Sequence, residues 1–286
     1  MTHALRDRAG AAAREAPLAL HPWCLLVSPA TPAAENMALD AALLARARES
    51  GETVLRVYTW RHPTLSLGRN QRAAGAYSAE RARTLGVEVV RRPTGGRAVL
   101  HWREVTYSVT APERPGEPLR AAYARINRVL LEALRRLGVP ASLAVPRERA
   151  PAPGLAPCFE TPVAGEIVVG GCKLVGSAQY REAGALLQHG AILVDDDQPL
   201  LSRLALVPLA PVPAPATLRV VLGRAPTVRE MADALLAAVR SLEDPEARPL
   251  GEADSCGLDE IADVALRAAA RGALVHYRDP QWTWRR

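Results

Sequence analysis

The chain has 286 residues, of which 49% are hydrophobic and 23% charged, a composition typical of a globular protein with one large core. No apolar run approaches the roughly 20 residues that a membrane-spanning helix needs, so no membrane partner is expected. The formal net charge of +6 favours an acidic partner. Because the arginines are scattered and aromatic residues make up only 4%, an acidic protein surface fits as well as nucleic acid does.

The first part of the chain alternates helical and strand patterns. Residues 1–20 are predicted to form a poorly ordered leader. Apolar residues at helical spacing that stop at Gly51 predict an amphipathic helix over 35–50. The elements predicted after it are strands at 53–60 and 64–68, a short helix near 78–85, a strand at 87–92, an antiparallel pair of strands at 97–102 and 104–110, and a long helix at 118–137.

The second part of the chain begins with a proline-rich loop at 146–157. The elements predicted beyond it are strands at 166–170, 173–179 and 185–194, a connecting arm at 205–226, helices at 227–242 and 257–271, and a short strand near 274–277. Because strands cluster in the middle without a βαβ rhythm, the pattern favours the α+β class. We expect a leader at 1–20, a main domain at 21–226 and a C-terminal helical extension at 227–286 packed on it.

A glycine-bearing turn lies between two predicted strands in the segment RRPTGGRAVLH, residues 91–101. The paired glycines, Gly95 and Gly96, would let the backbone approach a ligand and present N–H groups to it. Arginines on both sides suit an anionic group such as a phosphate or a carboxylate. A plain hairpin turn with solvated arginines fits the pattern equally well. The spacing is not that of a Walker loop.

One lysine, Lys173, stands among 35 arginines. A lysine amine can give and take a proton, whereas an arginine stays protonated, so the pattern marks Lys173 as a candidate acid or base. Cys158 lies fifteen residues earlier on the proline-rich loop, and a neighbouring ammonium would raise its thiolate fraction. A free cysteine is more often a small buried hydrophobe. Cys172 would point to the opposite face of the strand from Lys173 and is the weaker candidate.

Other catalytic arrangements find little support in the sequence. The four cysteines include no C-x-x-C pair, which argues against a zinc site and a disulfide framework and fits a reducing cytoplasm. His101 and His189 lie at or near strand ends, where either could be a structural histidine. No G-x-S-x-G elbow is present, and no histidine and carboxylate cluster has metal-ligand spacing.

Several segments resemble, in the right order, the motifs of the lipoate–protein ligase A and octanoyltransferase superfamily. RRPTGGRAVLH is similar to its RRxTGGxAVxH signature, GCKLVGSAQ to its KxxGSAQ element, and GALLQHGAIL to its QHGxIL element. SLGRNQ at 66–71 and the C-terminal QWTWRR also resemble family segments, so the resemblance covers roughly residues 22–286. PCFETP most resembles the LipM-type octanoyltransferases, whose nucleophilic cysteine lies at that position. One departure is Trp102, which follows His101 where the family usually has aspartate.

The resemblance implies the fold of biotin and lipoate ligases, a central mixed β-sheet flanked by helices. It implies a cytoplasmic acyltransferase that needs no cofactor and no metal. Such an enzyme moves an octanoyl group from octanoyl-acyl carrier protein to a lysine of a lipoyl domain in a 2-oxoacid dehydrogenase E2 subunit or of the glycine cleavage H protein. Nucleic acid and membranes are then not expected as partners.

The resemblance also implies the residues of the site. Cys158 would be the nucleophile and Lys173 the group that lowers its pKa and later accepts a proton. N–H groups near Gly176 or on the Gly95–Gly96 loop would stabilise the oxyanion, and Val99 and Leu174 would line an apolar slot. The residues expected to contact substrate are Arg92, Thr94, Gly95, Gly96, Arg97, His101, Gly176, Ser177, Ala178, Gln179 and His189. An ATP-dependent lipoate ligase, an amidotransferase between lipoyl-type proteins and a non-catalytic binding module remain alternatives.

Overall fold

A computed structural model describes residues 22–145, 159, 164–209, 213–250 and 261–285. The predicted leader at 1–20 lies outside the described residues, as do Cys158 and the proline-rich loop at 146–157. Within the described ranges, no helix combines the length and the apolar character needed to cross a membrane.

Most predicted elements are present in the predicted order with shifted ends. The structure adds elements that were not predicted, including a short helix inside the predicted connecting arm at 205–226. The helices are α1 (Ala33–Ser50), α2 (Ala79–Thr84), α3 (Leu119–Arg136), α4 (Leu200–Leu204), α5 (Leu218–Leu222), α6 (Val228–Leu242), α7 (Val264–Arg278) and α8 (Pro280–Thr283). The strands are β1 (Trp23–Val27), β2 (Thr53–Tyr58), β3 (Thr64–Leu67), β4 (Glu88–Arg91), β5 (Val99–His101), β6 (Glu104–Pro112), β7 (Ser142–Leu143), β8 (Ile167–Val169), β9 (Cys172–Glu182), β10 (Ala185–Leu193) and β11 (Arg248–Pro249).

The strands form two sheets. The larger has eight strands in the order β11-β1-β2-β6-β10-β9-β8-β7, and the smaller has three in the order β4-β3-β5. In the larger sheet β1 is parallel to β2 and β11, and the remaining pairs are antiparallel. The predicted α+β class, with a central mixed sheet flanked by helices, is therefore confirmed.

Helices cover both faces of the larger sheet. On one face α3 and α6 build the main core, in which Ile126 and Leu235 pack with inward-facing residues of β2, β6 and β10. On the other face α1 lies between the sheet and α7, so it buries residues on more than one side. Since α6 shares the main core, the predicted boundary near residue 226 falls between elements that pack together, and the division into domains stays a prediction.

The predicted pairing of 97–102 with 104–110 is wrong. The first segment becomes β5, which pairs with β3 in the small sheet, and the second becomes β6, which pairs with β2 and β10. The bend between them is held by Arg103, whose backbone N–H and guanidinium both donate to the Asp197 carboxylate. The chain thus leaves one sheet for the other instead of turning back on itself.

The predicted strand near 274–277 is also wrong, because these residues continue a helix. Residues 261–263 are not helical, and α7 runs from Val264 to Arg278, later than the predicted 257–271. Ala270, Leu274 and Tyr277 recur at helical spacing and pack against α1 and its neighbours. Gly272 lies inside the helix with open space beside it.

Candidate active site

The Gly95–Gly96 loop is pressed against the end of β3. A Cβ placed on Gly68 would lie 2.0 Å from the carbonyl oxygen of Gly96, so only a glycine fits there. Gly96 itself has a φ of 93°, in the left-handed region that favours glycine. Strands β4 and β5 pair with opposite edges of β3 and not with each other, so the loop crosses the end of β3 and is not a hairpin.

Two buried arginines shape this loop from within. The guanidinium of Arg92 donates to the carbonyl oxygens of Ser66, Gly95 and Arg97 at 2.7–3.1 Å. Arg91 donates instead to backbone carbonyls before the loop and in the C-terminal segment, including that of Gly68 at 2.6 Å. These bonds hold the loop backbone in one conformation.

A buried chain of hydrogen bonds ties the loop to β10 and α1. Thr94 Oγ1 lies 2.6 Å from His189 Nε2, and His189 Nδ1 lies 3.3 Å from Asp40 Oδ2. Asp40 also accepts bonds from Arg56 Nη1 at 2.9 Å and Ser108 Oγ at 2.8 Å. Thr94 and His189 were predicted to contact substrate. The structure shows that they bind each other, and the substrate contact stays a prediction.

The protonation of this chain follows from its burial and its charges. Burial lowers the pKa of His189 below its ordinary value, although the bond to Asp40 opposes the shift. Burial alone would raise the pKa of Asp40, but the His189 bond and the Arg56 charge hold that pKa below its ordinary value. His189 is therefore neutral near neutral pH, with Nδ1–H donating to the Asp40 carboxylate and Nε2 accepting from Thr94.

His101 is held by a second buried carboxylate. Its Nδ1 lies 2.6 Å from Glu104 Oε1, and its ring stacks on Trp60 with the centroids 4.3 Å apart. Thr106 donates to the same carboxylate oxygen at 2.6 Å and accepts from the Trp60 indole at 2.7 Å. Glu104 thus places a carboxylate beside His101 although Trp102 occupies the position next to it.

These elements surround a narrow cavity of about 50 Å³. Its lining is largely apolar, with the polar histidines at one side and glycines where strands approach closely. The lining residues are Met37, Tyr58, Trp60, Ser66, Arg92, Gly96, Val99, His101, Thr106, Gly176, Ser177, Ala178, His189, Gly190 and Ala191. Val99 lines this cavity as expected, whereas Leu174 belongs to the main core on the α3 side, which corrects the expected apolar slot.

Lys173 lies close to the cavity and is almost completely buried. Its side chain is 2% exposed, and its Nζ lies 2.7 Å from Glu166 Oε1, whose side chain is 10% exposed. The two residues face each other across the β8–β9 hairpin, where Gly170 and Gly171 take left-handed φ angles. A carboxylate at this distance favours the protonated ammonium form of a lysine.

Phe159 joins Lys173 to the cavity wall. Its ring centroid lies 5.2 Å from Lys173 Nζ, within the range of a cation–π contact. The ring also packs against Gly176, where an added Cβ would lie 3.0 Å from Phe159 Cζ and 3.4 Å from Lys173 Cε. Gly176 therefore makes room for Phe159 beside the lysine, and Phe159 packs with Val99 and Ala191, which line the cavity.

The other predicted site residues lie at different distances from the cavity. Ser177 Oγ accepts a bond from Tyr107 at 2.7 Å. Gln179 bonds Gln188 and does not line the cavity. Gly95 and Arg97 belong to the loop but not to the lining. Cys158, the predicted nucleophile, lies outside the described residues. Its role and those of the other predicted site residues stay predictions.

Sequence reasoning missed three carboxylates of the site. Glu104 follows His101 at i+3, but such spacing is common on strands and turns. Asp40 is an acidic residue in the otherwise apolar run MALDAALL, which could have marked it as buried and paired. Glu166 precedes a short apolar strand, where nothing in the local pattern separates it from a solvated residue.

The sequence of this chain is similar to the sequences of one protein family over most of its length. The sequence model of the lipoyl protein ligase A/B catalytic domain matches residues 32–240. An octanoyltransferase LipM of Kyrpidia tusciae is 40% identical over 273 residues, which cover 92% of this chain and 99% of that protein. Another LipM, of Symbiobacterium thermophilum, is 43% identical over 193 residues, 65% of this chain and 70% of that protein.

Solved structures with this fold carry the same family name. A lipoate-protein ligase A bound with ATP superposes with a TM-score of 0.69 at 21% identity, covering 92% of this chain and 98% of that one. A bipartite lipoate protein ligase of Thermoplasma acidophilum gives 0.70 at 19% identity, covering 92% and 96%. At this identity the likeness establishes the fold alone. The sequence model and the sequence relatives confirm the predicted resemblance: the chain belongs to the lipoyl protein ligase A/B catalytic domain family, within its LipM-type octanoyltransferases.

Proposed function

We propose that this chain is an octanoyltransferase that carries the acyl group on Cys158. The observation that carries the proposal is the burial of Lys173 against Phe159, the residue that follows Cys158 in the chain. Consecutive Cα atoms lie about 3.8 Å apart. The contact between Phe159 and Lys173 therefore supports a site in which the neighbouring Cys158 acts together with this lysine. The activity is the one named for relatives that are 40–43% identical to this chain over the aligned residues.

The acyl chain is proposed to occupy the cavity beside Gly176. An octanoyl tail needs an apolar slot, and Met37, Trp60, Val99 and Ala191 supply apolar walls there. Burying apolar surface contributes about 25 cal/mol per Å², so the tail would supply much of the binding free energy.

In the first half-reaction the Cys158 thiolate would attack the carbonyl carbon of the octanoyl thioester. A carbon–sulfur bond to Cys158 forms and the bond to the donor thiol breaks, which leaves a thioester on the enzyme. The Lys173 ammonium would favour the thiolate beforehand and then give a proton to the departing donor thiolate. Lys173 is neutral at the end of this step.

In the second half-reaction the neutral amine of an acceptor lysine would attack the enzyme thioester. A carbon–nitrogen bond forms, Lys173 accepts the proton that the attacking nitrogen loses, and the Cys158 thiolate leaves. The enzyme is back in its starting protonation state. N–H groups near Gly176 and Ser177, or those of the Gly95–Gly96 loop, would stabilise the oxyanion in both steps.

The proposed partners are two acidic proteins. The donor would be octanoyl-acyl carrier protein, and the acceptors would be lipoyl domains of 2-oxoacid dehydrogenase E2 subunits or the glycine cleavage H protein. The net charge of +6 supports this choice, because a basic surface steers acidic partners towards the site. We infer a cytoplasmic reaction, since the nucleophile must remain a reduced thiol.

Intact-mass spectrometry tests the proposal. The chain is mixed with octanoyl-acyl carrier protein without ATP, and its mass is expected to rise by one octanoyl group that hydroxylamine removes. Cys158→Ser should lose the adduct, whereas Cys172→Ser, a matched change at an exposed thiol, should keep it.

Other outcomes point to other functions. Activity that needs free octanoate and ATP, with release of AMP and no adduct, would replace the transferase by a ligase. An adduct formed only from an octanoylated lipoyl-type protein would favour an amidotransferase. Binding of either partner without any acyl transfer would leave a binding module.

A further inference from the structure

The proposed reaction gives no role to Glu166, the carboxylate that contacts Lys173. Both side chains are buried, and Lys173 Nζ lies 2.7 Å from Glu166 Oε1. Removing one partner of a buried ion pair leaves the other charge buried and uncompensated, so each side chain depends on the other. Tyr123 on α3 interacts with both charges, and burial raises the pKa of its hydroxyl, which stays neutral.

The backbone that carries Glu166 is fixed from two sides. Asn127 on α3 donates from its side-chain amide to the Gly165 carbonyl at 2.7 Å. Ala144 next to β7 donates to the Glu166 carbonyl at 2.7 Å and accepts from Gly165 at 3.0 Å.

Asn127 is itself held by a polar network in the core. Its Oδ1 accepts from Gln188 at 3.0 Å, and Gln188 also donates to Tyr107, whose hydroxyl bonds Ser177. Three strands and one helix therefore hold the backbone from which the Glu166 side chain extends to Lys173.

We propose that Glu166 is a positioning residue of the acyl transfer, which orients the Lys173 amine and keeps it protonated in the resting enzyme. This inference rests on the proposed function. A protonated Lys173 favours the thiolate of the nucleophile and holds the proton that the donor thiolate needs. The same carboxylate makes the neutral amine a better proton acceptor in the second half-reaction, because the ammonium that forms is paired at once.

The pH dependence of the first half-reaction tests this role. Single-turnover acylation by octanoyl-acyl carrier protein is followed by intact mass across the alkaline range, where loss of the Lys173 proton ends the active state. In Glu166→Gln the ammonium loses its partner, so the alkaline limb should move down by about 1–3 pH units. Glu166→Asp keeps the charge and should return the limb towards its wild-type position at a lower rate.

Glu117→Gln is the matched control. Glu117 also forms an ion pair at the α3 side of the molecule, with Arg125 at 2.9 Å, and Arg125 keeps a second carboxylate partner in Glu243. The alkaline limb of this variant should not move. A Glu166→Gln enzyme that is slower at every pH but has an unmoved limb would overturn the proposal.

A second measurement needs no variant. The chain has one lysine, so lysine labelled with ¹³C at Cε gives a single assigned NMR signal. We expect this signal to report an ammonium throughout the neutral pH range. A neutral Lys173 near pH 7 would overturn the role of Glu166. A wild-type enzyme that forms no octanoyl adduct would instead count against the proposed function.

Discussion

Lys173 is held in one orientation by two different contacts, a carboxylate on one side and an aromatic ring on the other. The Glu166 oxygen lies 2.7 Å from its Nζ, and the Phe159 ring centroid lies 5.2 Å away. Both contacts favour a cation, so an arginine would satisfy the electrostatics of this position as well as a lysine. What arginine cannot do is release its proton. The proposed proton transfer therefore accounts for a lysine at this position, whereas charge alone does not.

Lys173→Arg separates these two properties. The ion pair with Glu166 should persist, so thermal unfolding should change by no more than a few degrees. Octanoyl transfer should fall by about 10²–10⁴-fold, the usual contribution of a positioned acid or base. The rate of acceptor octanoylation and the melting temperature check both parts. Wild-type rates in this variant would refute the proton-transfer role, and Lys173→Gln serves as the comparison in which charge and proton are both lost.

At the scale of elements, sequence patterns predicted the helices and strands whose bounds depend on residues within the segment itself. β9, β10 and α3 were predicted within a few residues because their periodicity and end signals lie within the segments themselves. The partner of β5 was wrong because that choice depends on β3 and on the distant Asp197. The sequence motifs pointed to the Gly95–Gly96 loop and to β9, the strand that carries Lys173.

The carboxylates Asp40 and Glu166 were not predicted as site residues, and the reason is related. Asp40 meets His189 across 149 residues, and no local pattern reports such a contact. Glu166 is only seven residues from Lys173, but the pairing depends on the register of the β8–β9 hairpin and its bulge. Family motifs point to residues that share a signature, whereas the residues that hold them in place become visible only once the strands are packed.

Gly68→Ala tests the contact between β3 and the glycine loop. The new methyl group would lie 2.0 Å from the Gly96 carbonyl oxygen, so the loop must move. Overpacking of this kind costs about 1–3 kcal/mol, and a loop displaced by about 1 Å could lower the transfer rate about 10²-fold. Gly95→Ala, where the added Cβ meets nothing within 4 Å, should melt close to wild type. Equal melting temperatures for the two variants would contradict the close packing described for Gly68.

At the scale of the whole molecule, one buried arginine joins the small sheet to the C-terminal segment. Arg91 is fully buried in β4, and its guanidinium donates to the carbonyl oxygens of Gly68, Gln71 and Thr283 at 2.6–3.1 Å. Trp282 closes the contact by donating to the Arg91 carbonyl at 3.0 Å. The last helix is thereby fixed beside the loop that borders the cavity.

Arg91→Gln should destabilise the molecule through this junction. Several buried carbonyls lose their donor, each at a cost of about 1–3 kcal/mol, and a loss of about 3 kcal/mol would lower the melting temperature by about 6–12 °C. Arg120→Gln, at an exposed position of α3, should stay within about 0.5 kcal/mol of wild type. Differential scanning calorimetry of both variants checks this, and an unchanged melting temperature for Arg91→Gln would be inconsistent with the junction.

The burial of the only lysine limits the side-chain amines that the enzyme could acylate on itself. An enzyme that holds a reactive thioester and delivers it to amines risks acylating itself wherever a side-chain amine reaches the site. Arginine guanidinium groups stay protonated and are poor nucleophiles, and the one lysine is 3% exposed and paired with a carboxylate. The arginine-rich surface can therefore attract acidic partners without competing with their lysines for the octanoyl group.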